Sequence, residues 1–480
     1  MPNELKKKII KTKVHGLDEI LGGGLIRGSI YLIDGPPGSG KTILGNQIIF
    51  NLATPKDPAA FITLLAEMHG KMLDHIGEMN YFNKSKVGID ISYYGAYHIL
   101  EAGKLAALRK FLVDLIHAQN LKFIVIDGFK IVDYFSSVET ESARFVHELS
   151  ALASTTGCTL LLLNQGTKSL SPTSLEALVD GIIELKLIDT GLRTIREIQI
   201  YKMRGLDQNK GHHVFNISAD GIKIFTRTES RKMGRSIFKN SHSNLKFGIK
   251  CLDEMLIGGI KAGSTTSLIG PPGSGKTFFG LKFLEEGLKL GETCVFFGFY
   301  EEPSQLVTKA ASIGIDLTPY LENQRLIVFW CPPTENLIDE ISETLMNLIT
   351  KHSASRVFVD GIDGIKMSSV YPERFSKYVA ALSILLRYSG ATSLLTEETS
   401  FNNDLSLKQG EHSALIENII SLRYVNVFSK LHRLIAILKV RESPYDTSSR
   451  EFSISSQGID VNQNSFFADE VVEHKNPRTL

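Results

Sequence analysis

Cysteine is scarce in this chain, neither sign of charge prevails, and no long apolar run is present. Of 480 residues only four are cysteine, Cys158, Cys251, Cys294 and Cys331, with no Cys-x-x-Cys pair and no metal-ligand spacing among them. That argues against a disulfide scaffold or a zinc site and for reduced thiols in a cytoplasmic protein. Lysine and arginine total 53 against 52 acids, a formal net charge of +1. A chain so neutral is not committed to coating nucleic acid or an anionic membrane. The N-terminal stretch MPNELKKKIIKTKVHG is basic without an apolar core, and no segment approaches membrane-spanning length, so secreted and integral-membrane classes are not expected. What remains, 43% hydrophobic and 22% charged residues, is the balance of globular domains with sizeable cores.

Self-similarity is what the chain has in place of these features. Residues 17–42 read LDEILGGGLIRGSIYLIDGPPGSGKT and residues 252–277 read LDEMLIGGIKAGSTTSLIGPPGSGKT, an ungapped repeat at an offset of 235. Later landmarks recur in the same order: IVIDG (124–128) and VFVDG (357–361), KMRG (202–205) and KVRE (439–442), FNISADGI (215–222) and FSISSQGI (452–459). A repeat this long is a duplicated domain, not a solenoid. The division expected is a first domain over 1–228, a basic polar linker over 229–244, a second domain over 245–462 and a polar tail over 463–480.

Each copy alternates short apolar runs (SIYLIDG, AAFITLL, LKFIVIDG, CTLLLLN; TTSLIG, CVFFGFY, SRVFVDG, TSLLTE) with amphipathic stretches such as TILGNQIIFNLA and TFFGLKFLEEGLKL. Unbroken apolar runs suit strands buried on both faces, so the fold class is α/β, a mostly parallel sheet flanked by helices in each copy.

GPPGSGKT fits the phosphate-loop pattern G-x-x-x-x-G-K-[ST] twice, and each time it follows a strand and opens a helix. The candidate nucleotide-binding residues are Gly35, Pro36, Pro37, Gly38, Ser39, Gly40, Lys41 and Thr42, and Gly270, Pro271, Pro272, Gly273, Ser274, Gly275, Lys276 and Thr277. In such a loop successive backbone N–H groups face phosphate oxygens, with the helix N-terminus adding its positive dipole end. The lysine reaches the terminal phosphates and the threonine hydroxyl ligates Mg²⁺, which makes ATP and Mg²⁺ the expected cofactors. Asp127 and Asp360 each end a strand-like run and are the candidate partners of Thr42 and Thr277 at the metal. An acid there could merely cap a turn; its recurrence in both copies favours the metal. Activation of the attacking water needs another group. FGFYEEP offers Glu301 and Glu302, while the first copy has Ala66 and Glu67 at the same offset, so the halves need not be equally active.

Together, HGLDEILGGG, both P-loops, YEEP, IDG and VDG, KMRG and the closing FNISADGI and FSISSQGI resemble the KaiC branch of the RecA superfamily, tandem-domain ATPases that include the cyanobacterial clock protein. The similarity spans roughly residues 12–462. It implies two RecA-like P-loop domains and a double-tiered homo-hexameric ring with ATP at subunit interfaces. It also implies that Lys202 and Arg204, and Lys439 and Arg441, reach nucleotide held by the neighbouring subunit. A protein partner, KaiB-like or another signalling protein, is implied as well. In that family the second domain is also an autokinase acting on a Ser-Thr pair. Here the aligned positions are Ser413 and Ala414, which leaves Ser413 as the one candidate phosphosite, with an ordinary loop serine the plainer reading. An ordered two-site cycle is not expected.

Beyond the fourth strand of each copy the halves differ, Asn164 and Gln165 against Glu397 and Glu398. An amide can hydrogen-bond a phosphate, whereas a carboxylate repels it unless protonated or metal-bridged. His212 and His213 have no metal-like spacing. The function expected is that of an Mg²⁺-dependent ATPase acting as a nucleotide-driven signalling switch. A recombinase or helicase of the same superfamily is the alternative, disfavoured by the charge balance, and a scaffold that binds ATP with negligible turnover is a third reading.

Overall fold

A computed structural model describes residues 8–65, 69–136, 139–166, 175–191, 193–231, 243–333, 336–399, 416–427 and 430–465. The chain divides into two units, Met1–Ser230 and Arg231–Leu480. The eight apolar runs picked out in the sequence all fall on strands.

Among the described residues the first unit is built on a nine-stranded sheet. Ile91–Gly95, Ala59–Thr63, Phe123–Asp127, Thr159–Asn164, Ile30–Asp34 and Gly181–Asp189 lie side by side and parallel. Thr194–Met203, His212–Ser218 and Gly221–Phe225 continue it antiparallel. Successive side chains of a strand point to opposite faces. Tyr31 and Ile33 therefore join one core with Leu44, Ile48, Phe61 and Val125, while Ile30 and Leu32 join the other with Ile62, Leu112 and Ile124. Burial on both faces is the physical reason these strands read as continuous apolar runs.

The second unit repeats the plan. Leu326–Trp330, Cys294–Gly298, Arg356–Asp360, Thr392–Glu398, Thr265–Gly270 and Asn418–Val427 are parallel, and Lys430–Val440, Arg450–Ser455 and Gly458–Ser465 are antiparallel. Phe296, Phe358 and Leu394 face one core; Val295, Val357, Val359 and Leu395 face the other. Arg356, fully buried, is held by Glu292 at 2.7 Å and by the carbonyls of Lys246 and Phe283.

Two details refine the expected division. The last strand runs past residue 462 to Ser465. Arg231, inside the expected linker, is an ion-pair partner of Glu343 at 3.1 Å with both side chains mostly buried, so it packs with the second unit. Residues 232–242 lie outside the described residues. No helix among the described residues is long and apolar enough to cross a membrane.

Candidate nucleotide sites

Each P-loop leaves the C-terminal end of a central parallel strand, Ile30–Asp34 or Thr265–Gly270, and turns into a helix, Lys41–Leu52 or Lys276–Lys289. Crevices at such strand ends are where open α/β sheets hold ligands. The turn needs a left-handed residue just before the helix. Gly40 at φ 102° and Gly275 at φ 105° supply it, a conformation a side chain would resist.

In the first unit Lys41 Nζ donates to the carbonyls of Gly35 at 2.7 Å and Pro36 at 2.8 Å, curling back over its own loop. Burial lowers its pKa from the usual lysine value, and the nearby carboxylates of Asp127 and Asp34 oppose that shift. Thr42 Oγ1 donates to Asp127 Oδ2 at 2.9 Å, and Asp127 Oδ1 accepts from the N–H of Gly128 at 2.8 Å. A cavity of about 350 Å³ opens over this group, lined by Gly38, Gly40, Lys41, Thr42, Asp127 and Gln165 among others.

The second unit holds the same arrangement. Lys276 Nζ donates to Gly270 O at 2.8 Å and Pro271 O at 3.1 Å. Its pKa is also lowered by burial, against the pull of Glu398, Asp360 and Asp363. Asp360 accepts from Thr396 Oγ1 at 2.7 Å and is hydrogen-bonded by Thr277. Burial pushes its carboxyl above the ordinary aspartate range despite those bonds, and the charge of Glu301 adds to the rise. Glu301 is paired with Lys309, and its Oε2 is buried without a hydrogen-bond partner. Glu302, by contrast, is exposed at the N-cap of helix Pro303–Ala311. The two glutamates predicted as a pair therefore sit in different environments, and Glu301 is the one beside Asp360. Tyr424 hydroxyl donates to the P-loop carbonyl of Gly273 at 2.6 Å.

Both loops fit a triphosphate with its metal. The hydroxyls of Ser39 and Ser274 are buried with no hydrogen-bond partner inside the protein, and a hydroxyl–carboxylate pair stands at each loop's exit. Among the described residues no group of three or more His, Cys, Asp or Glu is placed to hold a metal unaided. Mg²⁺, which favours few protein ligands plus phosphates and water, would be held by Thr42 and Asp127, or Thr277 and Asp360, with phosphate oxygens completing its shell.

The cations of the KMR and KVR segments are elsewhere. Lys202 pairs with Ile182 beside the Gly181–Met203 pair, and Gly181 is in register with Tyr31 near the start of the P-loop strand. Four strand residues, about 13 Å, separate that level from Gly35. Lys202 and Arg204 donate to Ala177 O at 3.2 Å and 2.7 Å, and Arg204 lies 3.6 Å from Asp180. Lys439 is in register with Ile419, level with Ser267, and donates to Ile416 O at 2.6 Å. Lys202 and Lys439 thus lie three strand residues, about 10 Å, from the start of their own P-loops, with side chains bonded toward the opposite end of the sheet, where Arg204 sits.

A family model described as ATPase: KaiC matches residues 10–229 and again 245–465. The chain belongs to the KaiC ATPase family. Relatives at this level are the circadian clock oscillator protein KaiC of Picosynechococcus sp. strain PCC 7002, 29% identical over 94% of this chain and 89% of its own length. Another is the circadian clock oscillator protein KaiC 1 of Synechocystis sp. strain PCC 6803, 28% identical over 94% and 88%. A third, KaiC of Acaryochloris marina, is 27% identical over 96% and 89%.

In this KaiC-family chain four positions named from the sequence, Ala66, Glu67, Ser413 and Ala414, lie outside the described residues. His212 and His213 have structural partners: His212 pairs with Glu197 at 3.3 Å, and buried His213 accepts from the N–H of Arg227 at 3.0 Å. Residues the sequence did not flag also touch the sites. Thr396 and Lys309 reach Asp360 and Glu301 only through the fold. Asp34 did carry a signal, since it directly precedes the first P-loop where the second copy has Ile269.

Proposed function

We propose that this chain binds and hydrolyses ATP with Mg²⁺ at both P-loops and forms a double-tiered homo-hexameric ring. Its nucleotide state would set its affinity for a protein partner, KaiB-like or of another signalling class, in the cytoplasm. The observation that carries the reading is the threonine–aspartate contact at the exit of each P-loop. At both sites a hydroxyl and a carboxylate meet, the pair that would ligate the metal. In the second unit Glu301 is the group best placed to orient water, having a free buried oxygen and a carboxylate neighbour that holds the metal position. Glu67 takes that role in the first unit.

The position of Lys202, Arg204, Lys439 and Arg441 supports the ring. Their distance from their own P-loops favours a role toward nucleotide held by another subunit, where a cation supplied in trans would stabilise the charge developing on the transferred phosphoryl. A head-to-tail contact that closes on itself generates such a site at every interface. Ser413 is retained as an acceptor for residual autokinase activity in the second unit.

Phosphate release and light scattering on the full chain test the reading. Mg²⁺-dependent release that disappears in Lys41→Ala/Lys276→Ala, with scattering mass rising about sixfold on ATP addition, is the expected result. Release unchanged by the double substitution would sink the enzymatic part.

A further inference from the structure

Asp34 stands at the last position of the first P-loop strand, where the second unit has Ile269. Its Oδ1 accepts a hydrogen bond from Asn164 Nδ2 at 2.8 Å. Its Oδ2 packs against Gly166, where an added Cβ would come within 2.3 Å of it. One carboxylate thus fixes the residues on both sides of Gln165, and Gln165 lines the cavity with Lys41, Thr42 and Asp127.

The second unit changes every part of this device. Glu397 lies opposite Ile269 in the register that sets Asn164 opposite Asp34. Glu397, Glu398 and Thr399 therefore stand where Asn164, Gln165 and Gly166 stand in the first unit. The acid, the amide that binds it and the glycine that lets it approach are absent together. Burial raises the pKa of this half-buried carboxyl, Asn164 and Lys41 oppose the rise and Glu184 adds to it, so keeping the group ionised there carries a desolvation cost. A strand end that needed only packing would be served by an apolar side chain, as the second unit demonstrates.

We propose that Asp34 is a positioning residue that braces Asn164 and Gly166 and so holds the Gln165 amide at the phosphate end of the first cavity. There the amide can donate to a terminal phosphate oxygen or orient the attacking water. The role rests on the ATPase reading above and deepens it for the first unit only.

The test uses the full chain carrying Lys276→Ala, so that turnover comes from the first unit. Asp34→Ile is expected to lower kcat about tenfold with KM within about twofold, the pattern of an interaction realised in the transition state. Gln165→Ala should give the same loss, and the Asp34→Ile/Gln165→Ala double variant should fall no further, because both act through one group. Asp34→Asn keeps an oxygen that can accept from Asn164 and should retain at least about half the rate. Should Asp34→Ile misfold, seen as loss of ADP binding in calorimetry, Gly166→Ala wedges a methyl against Asp34 and must reproduce the kcat loss. Unchanged kcat in Asp34→Ile or Gly166→Ala, multiplying losses in the double variant, or a rise in KM alone would each overturn the positioning role. An inactive Lys276→Ala parent would instead overturn the ATPase reading for this unit, and the role of Asp34 with it.

Discussion

Thr42 and Asp127 are 85 residues apart in the chain, yet the threonine hydroxyl donates to the aspartate carboxylate at 2.9 Å. The contact exists because Phe123–Asp127 and the P-loop strand Ile30–Asp34 are separated by only one strand, Thr159–Asn164, so their C-terminal ends open on the same crevice. Removing the carboxylate should therefore act on the metal before it acts on the fold. In a Lys276→Ala background, Asp127→Asn is expected to lower Mg²⁺-dependent turnover at least about 100-fold. The midpoint of the Mg²⁺ titration should move upward; a titration that stays put would remove Asp127 from the metal.

The two glutamates of YEEP should separate cleanly. Glu301 lies beside Asp360 and has a buried free oxygen, whereas Glu302 is exposed at a helix N-cap. With Lys41→Ala silencing the first unit, Glu301→Gln should cut turnover about 100-fold while ADP affinity stays within about twofold. Glu302→Gln should cost less than about tenfold. The reverse order of losses would assign the water-activating role to Glu302.

Subunit mixing tests the distant cations. An Arg204→Ala chain keeps its P-loop but lends no cation, and a Lys41→Ala chain lends one but holds no nucleotide. With Lys276→Ala in both, each is expected to be nearly inactive alone. Turnover should reappear when they are mixed and reassembled with ATP. Mixtures that stay silent would place Arg204 outside the neighbour's site.

The buried carboxyl of Asp360 gives a pH dependence of definite sign. Its folded-state pKa is raised by burial, so between the unfolded value and the folded one the native state binds the extra proton. Stability from this group is present in acid and lost as pH rises through the folded pKa. Above it the ionised side chain is a standing cost without metal. Asp360→Asn should melt a few degrees higher than the parent at neutral pH in the absence of nucleotide. The gain should shrink as pH falls toward 4. A melting point lowered by Asp360→Asn at neutral pH would contradict the burial argument.

Much of this could be read along the chain. Unbroken runs such as FIVID and TLLLLN are long enough for one strand and carry four consecutive apolar residues, which a sheet covered on both faces accommodates. The P-loops were legible because their glycines, lysine and threonine are contiguous, so the chemistry and the spacing coincide. Thr396, which hydrogen-bonds Asp360, and Lys309, which pairs with Glu301, were not legible, because each meets its partner across a strand or helix whose register no local pattern encodes. The Arg231 pair was not legible for the same reason: one cation in a basic polar stretch gives no hint that Glu343 lies 3.1 Å away.

The order of residues by itself determined that this molecule is two α/β domains, each with one phosphate cradle, since those features depend on periodicity and on neighbours in the chain. Only the folded sheet decided that Thr396 and Lys309 meet Asp360 and Glu301, that Glu301 and Glu302 part ways, and that the KMR side chains turn away from their own nucleotide site. Those relations arise from strands brought side by side, which set distant residues level with one another or hold them apart.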